Sequence, residues 1–149
     1  MKRQLLAALL LHLVTAQGDE LAVITHPDSA LKITSAKQVA NIFLKKIQLD
    51  ATGQALIALN LPAQHPVRVA FSKQIFNKPP DALEDYWNIQ YFQGISPPYV
   101  LVSEEEMLRF VASTHGAIGY ALTCHVDNRV RIVWHLELDE SLNKSCELK

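Results

Sequence analysis

The five residues ALIAL, Ala55 to Leu59, are apolar without interruption. A strand with no polar alternation has both faces covered, so it belongs inside a sheet packed between layers of helices. LAVIT, Leu21 to Thr25, followed by Pro27, has the same signature. Between such runs come segments with helical apolar spacing and their own start signals. Ser35 with Gln38 forms a capping-box pattern ahead of Val39, Ile42, Phe43 and Ile47, which predicts a helix from about Ala36 to Lys46. Strands that alternate with capped helices predict an α/β fold with a mostly parallel sheet flanked by helices.

The rest of the chain continues the alternation. Pro66 suits a first helical turn, and Val69, Phe71, Ile75 and Phe76 extend an apolar face up to Asn77 and the Pro79-Pro80 pair. Asp81 with Glu84 is a second capping-box pattern, and Leu83, Trp87 and Tyr91 form a stripe expected to lie in the core. YVLV after Pro97-Pro98 reads as a short strand, and Ser103 with Glu106 opens another helix that Gly116 ends. AIGYA is then a strand in which Gly119 marks a close backbone approach, and RVRIVWHL alternates as an edge strand with Arg129 and Arg131 on its polar face.

At 149 residues and 49% apolar content, one compact domain is expected, residues 17–138, with a polar tail at 139–149. Residues 1–16 read as a secretory signal peptide: Lys2 and Arg3 precede an apolar run from Leu5 to Val14 and a cut after Ala16. The run is short of the roughly 20 residues that span a bilayer, so no stable membrane span is expected after cleavage. Cleavage removes two of the 14 basic residues and none of the 15 acidic ones, leaving a net charge of −3. With no Lys or Arg run, nucleic acid is not an expected partner. Cys124 and Cys146, an even pair in an exported chain, are compatible with one disulfide or with inert thiols. Their spacing to His125 and His135 matches no familiar metal-ligand pattern, and neither metal nor cofactor is expected.

The order of segments carries a resemblance. LAVITHPDS, KQVANIFLKKI, LIALNLPAQHPVRVAF, ALEDYWNIQYF and VASTHGAIGYA follow one another as in the phosphate-binding branch of type 2 periplasmic solute-binding proteins. That family has a helix ending like IFxGK, here IFLKK, Ile42 to Lys46, and a PGAIGY-like turn, here HGAIGY, His115 to Tyr120. The resemblance covers Leu21 to Ala121, about one lobe of a two-lobed receptor, and implies a periplasmic location. The family's anion loop resembles R-x-x-G-S-G-T, where glycines let the backbone approach phosphate and a helix start adds its positive dipole end. Here that loop falls on Asn60 to Arg68, with His65 in the serine place, Pro66 in the glycine place and Val67 in the threonine place.

The residues left to hold an oxyanion are Asn60 at the strand end, Gln64 and His65 beside the helix start, and Arg68 in its first turn. Two readings stand for Arg68: an anion-holding fork, or a solvated helix residue. Ser29, in the loop after the first strand, could also donate; Tyr120 could line a cleft or sit in the core. No G-x-S-x-G, H-E-x-x-H or P-loop is present, so an enzyme is not expected. Two functions remain: an exported protein that binds phosphate or a similar oxyanion weakly, closed over the ligand by a homodimer mate or an envelope protein partner, and a protein-interaction or sensor-accessory module that has lost solute binding.

Overall fold

The computed structural model describes residues 20–138 together with Leu142 and Cys146. The expected signal peptide and most of the polar tail lie outside the described residues. Five strands form one sheet: β1 (Glu20–Thr25), β2 (Ile57–Asn60), β3 (Tyr99–Val100), β4 (Ala117–Leu122) and β5 (Arg131–Glu137), in the spatial order β3-β2-β4-β1-β5. β2 runs parallel to both β3 and β4, whereas β1 runs against β4 and β5. Four strands therefore share one direction, and β1 alone is reversed inside the sheet. Its register, Leu21 opposite Leu122 and Thr25 opposite Ile118, brings the start of β1 to the end where β2 and β4 finish.

The uninterrupted apolar strands are explained by cover on both faces. On one face α1 (Ala36–Phe43) and α2 (Pro66–Phe76) pack through an aromatic cluster: Phe71 stacks on Tyr120 at 4.0 Å between centroids, and Phe43 lies 4.7 Å from Phe71. On the other face α4 (Glu104–Ser113) buries Met107, Leu108 and Val111. Because side chains alternate along a strand, Tyr120 faces one layer and Gly119 the other. A Cβ at Gly119 would overlap the sulfur of Met107, so the expected close approach is that of α4.

At two of the expected capping boxes the serine caps the helix, and the Gln or Glu side chain returns to the N–H one residue before the serine. Ser35 Oγ accepts from Gln38 N–H at 3.2 Å while Gln38 Oε1 accepts from Thr34 N–H, and Ser103 Oγ accepts from Glu106 N–H while Glu106 Oε2 accepts from Val102 N–H. The box expected at Asp81 and Glu84 does not form. Pro80–Leu83 make a 3-10 turn, and α3 (Glu84–Phe92) starts behind Leu83 with no side-chain cap. Pro79, in extended backbone, takes the N-cap position of that turn and Pro80 its first place, so Asp81 already lies inside the turn and does not take the extended backbone an N-cap needs. The Leu83, Trp87, Tyr91 stripe also departs from expectation: Leu83 is buried, Trp87 half-buried and Tyr91 69% exposed. α3 lies at the periphery, tied to α1 by the Tyr86 hydroxyl donating to Leu44 O at 2.7 Å, and none of its residues is fully buried.

Arg129 precedes β5 and binds Glu105 and Asp127, while Arg131 turns its guanidinium onto the carbonyls of Ser29 and Leu31. α1 ends at Phe43 rather than Lys46, because Lys45 adopts a left-handed conformation, φ 60°, and Lys46 N–H returns to Asn41 O at 2.8 Å. This closure normally uses glycine, and a residue with a Cβ there costs roughly 1–2 kcal/mol. Lys45→Gly is expected to stabilise the protein by about 1 kcal/mol in urea unfolding. Gly116 shows the opposite case, with φ 81° and a backbone oxygen, that of Ala55, where a Cβ would sit. Gly116→Ala should cost more than about 1 kcal/mol in the same measurement.

Candidate functional site

Ligands of open α/β sheets bind beyond the carboxyl ends of the strands. At that end β2 finishes in Asn60, a polar turn follows through Gln64 and His65, and α2 starts at Pro66. Asn60 and Arg68 are 6% and 8% exposed, so both polar side chains are enclosed. They are joined through Tyr120. Its hydroxyl accepts from Leu61 N–H at 3.1 Å and donates to Asn60 Oδ1 at 3.2 Å, leaving the Nδ2 hydrogens of Asn60 for other acceptors. Arg68 Nη1 donates to Leu61 O at 3.4 Å, a long bond to a neutral acceptor. Its buried Nε finds no acceptor among the described residues, and none of their carboxylates lies within ion-pair distance of it.

The start of α2 is already partly used. Pro66 has no N–H, and His65 Nδ1 accepts from Val67 N–H at 3.3 Å as the helix N-cap. Of the first-turn amides, that of Arg68 is left to an outside acceptor. Gln64 is exposed beside it. Ser29 is not brought to this cluster. It follows the end of β1, which the reversed direction of that strand carries to the opposite end of the sheet, and its Oγ accepts from Leu31 N–H there.

Tyr120 is in the core and in the polar network at once, with its ring buried and its hydroxyl at the turn. Glu104, at the start of α4, is a further polar group at this end that sequence reasoning missed. Its Oε2 accepts from Leu122 N–H at 2.7 Å and lies 3.2 Å from His125 Nδ1. As the first of three consecutive glutamates it looks like ordinary helix-start acid, and no spacing signal links it to His125. Next to His125, Cys124 is joined to Cys146, with the two Cα atoms 6.0 Å apart. Among the described residues no group of three His, Cys, Asp or Glu side chains is placed to hold a metal ion. No described helix is long and apolar enough to cross a membrane.

A cavity of about 290 Å³ lies beside α2, lined by Pro66, Val69, Ala70, Lys73 and Leu138 among others. Its lining does not include Asn60 or Arg68.

Burial pushes the Tyr120 phenol up to about 12, against the pull of the Arg68 cation. The unfolded chain releases this proton near pH 10, while the folded protein keeps it. Stability from this group is therefore complete below pH 10 and falls as pH rises toward 12, by about 2–3 kcal/mol in all. Urea unfolding between those pH values should show the decline in the wild type and much less of it in Tyr120→Phe.

No protein-family model matches the chain, and no curated protein matches it significantly. Solved structures do match in fold. A phosphate ABC transporter substrate-binding protein from Clostridium perfringens, solved with bound phosphate, superimposes with a TM-score of 0.64 at 20% identity over 77% of this chain. An ABC-type phosphate transport receptor from Vibrio cholerae gives 0.63 at 17% identity, and PstS from Borrelia burgdorferi 0.59 at 19%, each over the same share of this chain. The match spans 44%, 45% and 46% of those three chains, less than half of each. The chain thus has the fold of one lobe of the phosphate ABC transporter substrate-binding proteins.

Proposed function

We propose that this is an exported, periplasmic, non-enzymatic binding protein that takes phosphate or a similar small oxyanion at the β2–α2 turn. The observation that carries this reading is Arg68. A guanidinium that is 8% exposed, with one 3.4 Å bond to a carbonyl and an Nε–H without an acceptor among the described residues, is an under-compensated buried charge. Such charges cost several kcal/mol unless an anion or further hydrogen bonds offset them. An oxyanion at the turn supplies the missing acceptor, meets the positive end of α2, and reaches the amides of Asn60 and Gln64 and the Nε2 side of His65. One lobe holds the ligand from one side, so the expected affinity is in the millimolar range, about −4 kcal/mol. A second copy or an envelope partner over the turn would tighten it.

The alternative, an interaction module without a solute, is favoured by the donors that Pro66 and His65 remove from the helix start. Titration calorimetry of the purified protein with phosphate and with sulfate separates the two. Oxyanion binding gives saturable heat that Arg68→Met abolishes, and Arg68→Met raises the melting temperature in oxyanion-free buffer by removing an unpaired buried charge. Absence of heat at millimolar phosphate and sulfate, with a lowered melting temperature in Arg68→Met, would assign Arg68 to holding the Leu61 carbonyl and sink the solute reading.

A further inference from the structure

Lys45 is held in a backbone conformation that normally belongs to glycine, with φ 60° at the end of α1. Non-glycine residues in that region cluster at ligand sites, where the surrounding structure over-determines them. The Lys45 side chain lines a polar cavity of about 250 Å³ between the end of α1 and the linker from α3 to β3, together with Gln48, Gly94, Ser96 and Tyr99. The linker is fixed by its own helix stop: Gly94, φ 81°, and Ile95 send their N–H groups back to Tyr91 O and Gln90 O, both at 3.0 Å. Two closed helix ends thus form the walls.

Of the seven lining residues Lys45 alone is charged. Its side chain is half-buried, and no carboxylate of the described residues lies within ion-pair distance of it. The carbonyls that end α1 are engaged elsewhere: Ala40 O with Leu44 N–H, Asn41 O with Lys46 N–H and Ile42 O with Lys45 N–H, while Leu44 O takes the Tyr86 hydroxyl. Loss of water around the amine lowers its pKa from the usual lysine value, the direction expected of an ammonium with no anion beside it. The walls supply neutral hydrogen-bonding groups, the Gln48 amide and the Ser96 and Tyr99 hydroxyls. One cation among neutral groups matches a single negative charge, and a phosphate dianion would bring more charge than the cavity offsets.

We infer that this cavity is a second ligand site, in which Lys45 holds the carboxylate of a small hydroxy acid while Gln48, Ser96 and Tyr99 hydrogen-bond its oxygens. It shares no lining residue with the Asn60–Arg68 network, and the inference does not rest on the oxyanion reading of that network.

Proton–carbon correlation spectroscopy of the full chain labelled with carbon-13 lysine tests it, with Lys45 assigned by its absence in Lys45→Gly. Lactate and the neutral lactamide are titrated separately at constant ionic strength up to about 50 mM, enough to saturate a millimolar site. The expected result is a saturable shift of the Lys45 Cε–Hε signal with lactate, absent with lactamide and retained in Arg68→Met. In calorimetry the lactate heat should fall at least fivefold in Lys45→Gly, a variant that keeps its fold because glycine suits the turn. A Lys45 signal that stays still, or that moves linearly with all other lysines, overturns the inference. So does a shift that lactamide reproduces or that Arg68→Met removes.

Discussion

The contact on which the rest depends is Tyr120 lying flat on Phe71, 4.0 Å between centroids, with its hydroxyl reaching Leu61 N–H and Asn60 Oδ1. One side chain joins β4 to α2 through its ring and to the end of β2 through its oxygen. The neighbouring position on β4 is Gly119, where a Cβ would collide with Met107, so α4 lies against the opposite face at the same level of the sheet. Both helical layers are therefore set by two adjacent residues of β4. Loss of the Tyr120 oxygen would leave a buried amide without an acceptor, worth about 1–3 kcal/mol.

The same arrangement determines what kind of site the turn can be. Its backbone donors are largely turned inward or absent: Leu61 N–H goes to Tyr120, Val67 N–H goes to His65, and Pro66 has none. A site left to side chains, with Arg68 at its centre, recognises charge more than shape, because backbone amides held in a rigid cradle are what match a tetrahedral anion closely. The proposed recognition is thus weak and broad among oxyanions. The polar groups opposite, Glu104 with His125, are satisfied by Leu122 N–H and by each other. At this end two buried polar atoms lack a partner among the described residues, Arg68 Nε and Thr123 Oγ1, and only the first belongs to a charged group.

Much of the architecture was legible because its signals are local. Uninterrupted apolar runs marked β1, β2 and β4, and serine caps marked the starts of α1 and α4; Gly116, expected to end α4, instead lies in the turn into β4, past the extended C-cap Thr114. Features set by long-range pairing were not legible. The reversed direction of β1 follows from its pairing with β4 and β5, and that reversal carries Ser29 to the far end of the sheet from Asn60. The Asp81 pattern had the spacing of a capping box, but the 3-10 turn had already started at Pro80. Tyr91 had core spacing on a helix that turned out to have little core to face. At the turn, Asn60 and Arg68 are linked through Tyr120 and Leu61, a connection that no local pattern shows, while His65 caps α2 and Gln64 is exposed.

On the proposed reading the enclosed Arg68 Nε–H is a donor awaiting an anion. It is tested most directly by proton–nitrogen correlation spectroscopy of the arginine Nε–H groups during titration with phosphate, with Arg68 assigned through Arg68→Met. Oxyanion binding at the turn gives a saturable downfield shift and slowed solvent exchange of the Arg68 Nε–H signal alone. A signal that does not move while phosphate reaches tens of millimolar, or a response confined to Arg129 and Arg109 at the surface, would contradict it.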